Sequence, residues 1–480
     1  MAGNKPGVSP FLKQCFVTLA VGMNLIAHGC VTGFPAILLP QLHHPDSTIV
    51  SSKTTDSWIA SVFAITLLIG NFLTPGIMDR FGRKIAHYIV SALSVIAWFM
   101  TSLAGNVEVI IVGRIIGGIS FGMMLPLRSI LIGEYSSPKY RGSFLSIISV
   151  TLSLGMFYVH LLGSVLSWSK TALIVFFLPL SSFIMTFFIP ESPSYLVLRG
   201  RYDDCRKAFR WLRSDIEEEE LENMIRAKIE FNQTTKHEKK FDVLGNIRKQ
   251  EFYKPILLMM HMHAITQICG APVTATFTTT IIELIVNPNV NAEAWMVFLD
   301  IERILVSILA IFVVNKIKRR TMVLTTTAIC TASIFGIACY VYAKTLGLLT
   351  HDILWIPAVL MFIQFFTMAI GPMSMTFIIA GEVFPLRYRS IGGTISFIST
   401  SANIFWLLKT FPVLVASIGI SGTYLLYAIL MVYCLIVIWF LLPETKDKTL
   451  QEIEDEYRGK MIIKDEEEIY RLKNVDNEKS

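Results

Sequence analysis

The sequence predicts an all-α membrane protein of twelve transmembrane helices, built as two six-helix halves. Three observations predict it. Of 480 residues 53% are hydrophobic and 16% charged, with a positive mean hydropathy. Apolar runs of about 20 residues, the length that crosses a bilayer, recur along the chain. Short charged motifs in the first half return at corresponding places in the second. A water-soluble chain carries about a quarter charged residues, so the excess apolar surface here needs lipid.

The first half, residues 1–189, reads as spans at 12–38, 58–78, 86–105, 108–131, 143–166 and 168–189. The second half, 253–445, reads as spans at 255–281, 295–315, 322–345, 353–379, 391–417 and 422–442. Between them, 190–252 breaks the apolar rhythm with the runs Glu217–Glu220 and Lys236–Lys240. Within this water-facing linker, Cys205, Phe209 and Leu212, then Leu221, Met224, Ile225 and Ile229, recur at helical spacing, which predicts short amphipathic helices against the membrane face. The tail, 446–480, is polar and charged, and its end carries the composition of a disordered segment.

Lys and Arg in short loops resist translocation and so report orientation. Lys5, Lys13, Arg80, Arg83, Lys84, Lys139, Arg141, Lys316, Lys318, Arg319, Arg320, Arg387 and Arg389 fall on one side, against Lys53, Lys170, Lys344 and Lys409 on the other. Both termini are therefore expected in the cytoplasm, with the first span retained rather than cleaved. Inside-facing basic loops account for the net charge of +6, so the expected partners are the bilayer and a small solute, with no nucleic acid. The seven cysteines fall in spans or in the linker, which excludes a disulfide framework. The sequon Asn232–Thr234 lies on the cytoplasmic side and should stay unmodified. No nucleotide loop, metal-ligand cluster or nucleophile triad is present; no cofactor is called for, and the chain does not read as an enzyme.

The internal echo is specific. Gly133-Glu134-Tyr135 through Arg141 matches Gly381-Glu382-Val383 through Arg389, and Pro190-Glu191-Ser192 matches Pro443-Glu444-Thr445. Asp79-Arg80-Phe81-Gly82-Arg83-Lys84 pairs more weakly with Asn315-Lys316-Ile317-Lys318-Arg319-Arg320. Three echoes in corresponding loops are the trace of a duplication. Together with Gly76-Ile77-Met78 before Asp79, Arg114 after Gly113, and Pro193 after Ser192, these motifs resemble those of the sugar porters of the major facilitator superfamily, over about residues 12 to 456. Asp56-Ser57-Trp58-Ile59-Ala60-Ser61 and Leu39-Pro40-Gln41-Leu42 further resemble the insect trehalose and sugar transporter branch.

The charges at the inner ends of the spans suit ion pairing near the membrane surface. Asp79, Arg80, Arg83, Arg114, Glu134, Arg141 and Glu191 belong to one half, and Glu382, Arg389 and Glu444 to the other. The resemblance implies a gating latch that closes the inner mouth in one state and splits in the other. Asn315 and Lys318 depart from the acid and the glycine usual at those places, and Ser194 from a basic residue.

A sugar site at the midplane needs amides, hydroxyls and an aromatic platform. The resemblance places Ser149, Thr266, Gln267, Ser374 and Thr400 there, with Thr274 and Thr276 nearby and Trp406 as an aromatic; threonines in membrane helices more often bond their own backbone. Several amides usual in sugar porters are absent, since the seventh span reads Thr266-Gln267-Ile268-Cys269-Gly270-Ala271-Pro272 and the tenth Gly371-Pro372-Met373-Ser374-Met375. Asp300, Glu302 and Arg303 in the eighth span are the unusual charges, and Arg303 stands where an asparagine usually faces the cavity. Its readings are a substrate-facing or coupling group, or a structural ion pair. His28 and His160 read as packed polar residues, and His261 and His263 do not form a metal site.

No acid precedes Asp46, and Val31 holds the place of the carboxylate that proton-coupled relatives set opposite Arg114. The expected function is thus facilitated diffusion of trehalose or a hexose by alternating access, in the plasma membrane. The rivals are a transporter of a non-sugar solute, anionic or less hydroxylated, and a ligand sensor that barely transports.

Overall fold

The structure is a computed structural model describing residues 9–213, 221–222, 225–226, 249–287, 290–314, 316–348, 354–384, 389–446, 448 and 450–458. Its first half has six helices: Pro10–Leu42, Lys53–Phe81, Arg83–Ser102, Val107–Tyr135, Pro138–Gly163 and Trp168–Phe187. In the second half the seventh span is broken into Gln250–Ile268, Ala271–Thr276 and Thr278–Ile285. The eighth is Ala292–Val314 and the ninth Arg319–Thr345. The tenth passes from Trp355–Met368 through the π-helical turn Ala369–Met373 into Ser374–Val383. The eleventh and twelfth run on as Arg389–Leu441, interrupted where Gly419 takes φ 72°.

Among the described residues, ten stretches are long and apolar enough to cross a membrane. Gly392–Leu441, at 50 residues, holds two crossings, and the eighth span falls outside the ten because it carries Glu293, Asp300, Glu302 and Arg303. Twelve crossings result, as the apolar rhythm predicts.

Local chemistry sets the helix ends. Ser52 and Asn106 cap the second and fourth spans by accepting the backbone N–H of Thr55 and Val109. The break between the second and third spans is Gly82, whose φ of 98° suits only a residue without Cβ. The seventh span breaks at Gly270, φ 107°, and restarts with Pro272 in its first turn. In the first half, Gly29 and Gly155 let the first and fifth spans cross backbone to backbone: a Cβ on either would overlap the other helix.

The face carrying the motif loops is here called the basic face. On it, the linker helices Pro193–Leu198 and Tyr202–Leu212 bury Leu196, Val197, Cys205, Ala208 and Phe209 with Leu221 and Ile225. They are tied to the first half by Arg213, which donates to Ser136 O at 2.8 Å, and by Gln14, which donates to Leu212 O at 3.2 Å. A tail helix, Leu450–Arg458, docks on the seventh span through Arg458 and Glu251 at 3.4 Å. The runs Glu217–Glu220 and Lys236–Lys240, with Met224, Ile229, the sequon at Asn232 and the end of the tail from 459, lie outside the described residues.

The buried apolar side chains form one core shared by both halves toward the opposite face, running from Phe34, Leu38 and Phe63 to Met262, Ile282 and Phe411. At the basic end the first half keeps a separate core of Val17, Leu25, Met78, Val90, Leu131 and Phe144. The halves therefore merge at one face and part at the other.

Candidate transport pathway

Each half builds the same charge cluster on the basic face. In the first, Arg83 Nε donates to Glu134 at 3.0 Å and Ser192 Oγ donates to the same carboxylate. Glu191 accepts the backbone N–H of Arg83 (2.9 Å), Lys84 (3.1 Å) and Ser192 (2.8 Å). In the second, Arg319 pairs with Glu382 at 3.6 Å and Thr445 donates to Glu382 at 2.6 Å. Glu444 accepts the backbone N–H of Arg319 (3.0 Å), Arg320 (3.3 Å) and Lys446 (2.9 Å).

Glu191 and Glu444 thus sit at the N-termini of the third and ninth spans, where unpaired N–H groups and the helix dipole favour an anion. Burial pushes the Glu191 carboxyl above the usual range, against the pull of those N–H bonds and of Arg83.

All four carboxylates are engaged within their own half, so in this conformation these charges hold each half together rather than latch one to the other. Asp79 and Arg80 are exposed, with Arg80 over Phe81 at 5.3 Å, and Arg141 is half-buried. The side chain of Arg389 lies outside the described residues.

The halves meet near the opposite face and at mid-depth. Ser57 on the second span donates to Lys409 O on the eleventh at 3.3 Å, and the Lys409 ammonium lies 3.9 Å from the Trp58 ring centre. Thr279 on the seventh donates to Ala36 O on the first at 3.4 Å, and Ser153 meets Ser307 at 3.4 Å.

The strongest link across the halves was read from sequence as mere packing. His160 on the fifth span lies with Nδ1 2.5 Å from Asp300 on the eighth and Nε2 3.1 Å from Gly33 O on the first. With Asp300 at one nitrogen and the Gly33 carbonyl at the other, the imidazole is fixed at both ends. Arg303 completes the cluster, 3.3 Å from Asp300, against Met156 S and 5.1 Å from the Phe365 ring centre. Arg303 is paired with Asp300. Glu302 is buried with both carboxylate oxygens unpartnered.

The hydroxyls assigned to the solute are largely committed. Thr266 donates to its own helix at Met262 O, 2.7 Å, beside Thr376; Ser374 donates to Ala369 O at 2.6 Å, and Thr400 to Ser396 O at 3.0 Å. Trp406 is 66% exposed on the outer surface of the bundle. Gln267 differs, since its side-chain amide makes no hydrogen bond among the described residues. The side chain of Ser149 lies outside them.

Arg114 is held by backbone: it donates to Ile59 O at 3.0 Å and to Val31 O, its guanidinium lies 4.8 Å from the Phe63 ring centre, and its buried Nη2 has no partner among the described residues. Arg128, which sequence reading passed over, lies on the same side of the fourth span two heptads later, 5.6 Å from the ring centre of Phe377 on the tenth span. An arginine inside the apolar run 108–131 was the available signal.

Residues 15–457 match the family described as sugar (and other) transporter. The chain belongs to that family. As a sugar-transporter family member it is similar to the facilitated trehalose transporter Tret1 of Culex quinquefasciatus, 23% identical over 95% of this chain and 89% of that protein. The corresponding figures for Tret1 of Polypedilum vanderplanki are 23%, 95% and 91%. Against Tret1 of Aedes aegypti, at 22% identity, the chain spans 57% of the relative's length. Among solved structures it shares the fold of the xylose transporter XylE from E. coli in its inward open conformation, with TM-score 0.72, 17% identity, 93% of this chain and 99% of that one covered. For the partially occluded inward open form the values are 0.73, 18%, 91% and 100%. The architecture is thus the major facilitator fold that the loop motifs imply.

Proposed function

We propose that this family member carries trehalose or a hexose across the plasma membrane by facilitated diffusion, with the basic face in the cytoplasm and with it both termini. The observation that carries alternating access is the asymmetry of the seam: the halves share a core and a His160–Asp300 bridge toward one face, while each closes its own charge cluster at the other. Rocking about the seam would exchange these contacts, with Arg80, Arg83 and Arg141 turning to Glu382 or Glu444, and Arg389 to Asp79, Glu134 or Glu191, when the basic face closes. Gln267 offers a free amide to a sugar hydroxyl, and Ser149, Thr266, Ser374 and Thr400 would be further contacts for the solute.

Uniport is supported by Arg114, whose hydrogen bonds go to carbonyls of Val31 and Ile59 and not to a first-span carboxylate that could exchange a proton. The test is uptake of labelled trehalose and hexoses into proteoliposomes. Equilibration without concentration, unaffected by an imposed pH gradient, is expected. Uphill accumulation driven by that gradient overturns uniport, and absence of flux for every sugar, neutral or charged, overturns the reading as a whole.

A further inference from the structure

Arg128 is a membrane-embedded cation without a counter-ion. Among the described residues it forms no ion pair and no hydrogen bond, and its one named contact is the face of Phe377 across the seam between the halves. Of the other arginines inside the spans, Arg303 is paired with Asp300, and Arg114 donates hydrogen bonds to two carbonyls. The ionisable neighbour on the first span, His28, is already tied to Ser120 at 2.9 Å and stacked on Phe121. Phe377 is 49% exposed and packs edge-on against His263, so its ring is held in place while one face stays open.

A charge inside a span is costly unless something pairs it, and among the described residues nothing does. Arg128 is partly exposed at the seam, on the fourth span near the basic face. We propose that Arg128 is an anion subsite on the transport path, taking the carboxylate or phosphate of an acidic sugar whose ring lies against Phe377.

Three observations converge on this. A guanidinium is the side chain best shaped to hold a carboxylate or phosphate by paired N–H bonds. An exposed aromatic face within reach of it gives the sugar ring a platform. The hydroxyls of Thr266, Ser374 and Thr400 are spent on backbone carbonyls, so a neutral sugar finds few partners and a charged anchor has more to contribute. Arg128 belongs to one half and Phe377 to the other, so such a cargo touches both and is gripped differently as they rock. The inference rests on the sugar-transport reading and narrows its cargo.

The experiment uses the full chain in proteoliposomes. Uptake of labelled glucose is competed with gluconate, glucuronate and glucose 6-phosphate, and with acetate, inorganic phosphate and chloride, in wild type, Arg128→Gln and Arg128→Lys. The acidic sugars should compete about tenfold or more better than unlabelled glucose. Arg128→Gln should erase that advantage, read as the ratio of acidic-sugar to glucose competition within each variant, and Arg128→Lys should keep most of it. Comparing the carboxylates with the phosphate ester tells which anion the site takes.

Acidic sugars that compete no better than glucose in wild type, with neutral uptake intact, overturn the subsite and leave sugar transport standing. An advantage that survives Arg128→Gln, or that acetate or chloride reproduces in full, overturns it as well. Absence of flux for every sugar overturns both readings. If Arg128→Gln does not fold, the wild-type competition and Arg128→Lys still decide.

Discussion

Glu191 closes the start of the third span: it accepts the backbone N–H of Arg83 at 2.9 Å, directly after Gly82 at φ 98°. A Cβ on Gly82 would overlap the Glu191 carboxylate as well as strain the backbone. Gly82→Ala should therefore cost about 1–3 kcal/mol. The duplicate cluster supplies the control, since Lys318, at the matching position, has φ −61°. Lys318→Ala should change stability by about 0.5 kcal/mol or less. Thermal unfolding of the two purified variants checks the contrast, and equal shifts would refute it.

The same carboxylate sets a pH dependence. Because burial raises the folded pKa of Glu191 above its ordinary 4.5, the folded protein holds that proton to higher pH than the unfolded chain does. Its contribution to stability is present below the unfolded value and is lost as pH rises through the raised folded one. Melting curves from pH 4 to 7 should show wild type losing ground to Glu191→Gln as pH rises through that window. A difference that stays flat, or runs the other way, contradicts the assignment.

The two clusters differ in tightness. Arg83 and Glu134 are 10% and 17% exposed, whereas Arg319 and Glu382 are 14% and 28% exposed and 3.6 Å apart. Glu134→Gln removes the negative charge facing a nearly buried guanidinium and one of the two oxygens shared by Arg83 and Ser192, and should approach the roughly 3–5 kcal/mol seen when one partner of a buried pair is removed. Glu382→Gln should cost about 1 kcal/mol or less. Denaturation of the single mutants ranks them, and a larger loss for Glu382→Gln would show that the second cluster carries the load.

At the seam, Asp300 has two partners and Arg303 has one carboxylate. Arg303→Asn leaves Asp300 bonded to His160 and should be the milder change, while Asp300→Asn strands both the guanidinium and the imidazole at about 3–5 kcal/mol. A double-mutant cycle on His160 and Asp300 should return a coupling of about 0.5–3 kcal/mol. A milder loss for Asp300→Asn than for Arg303→Asn would mean that the ion pair is not the feature that matters.

Hydroxyls turned to their own backbone should be dispensable. Thr400→Ala and Ser374→Ala should leave sugar uptake within about twofold of wild type, and Gln267→Ala, which removes a free amide, should lower it about tenfold, the worth of one good hydrogen bond. Initial rates in proteoliposomes measure this, and the reverse order would put the solute on the hydroxyls.

The span count and the duplication were legible because lipid imposes a length on every apolar run and because copied loops keep their charges. Partnerships were less so. That Arg83 and Glu134 face each other could be guessed, but whether they join two halves or lie within one depends on how the halves are tilted, which no local pattern records. The partner of His160 is invisible in sequence, because a single histidine in an apolar run meets Asp300 only once the eighth span folds against the fifth. Arg128 stands in the apolar run 108–131 without the neighbouring acids that mark Arg303. The bonding of Thr266 and Thr400 to carbonyls one turn back is a rotamer choice that spacing leaves open.

The Gly29–Gly155 crossing leaves no clearance between the first and fifth spans, and the six helices of that half run without a break. Such a block turns as a unit or not at all. The seventh and tenth spans, by contrast, give way at Gly270, at Phe277 and through Ala369–Met373. Mechanical compliance is therefore lodged on one side of the molecule: a stiff stator faces a jointed lever, and a load applied at the seam is absorbed by bending the lever.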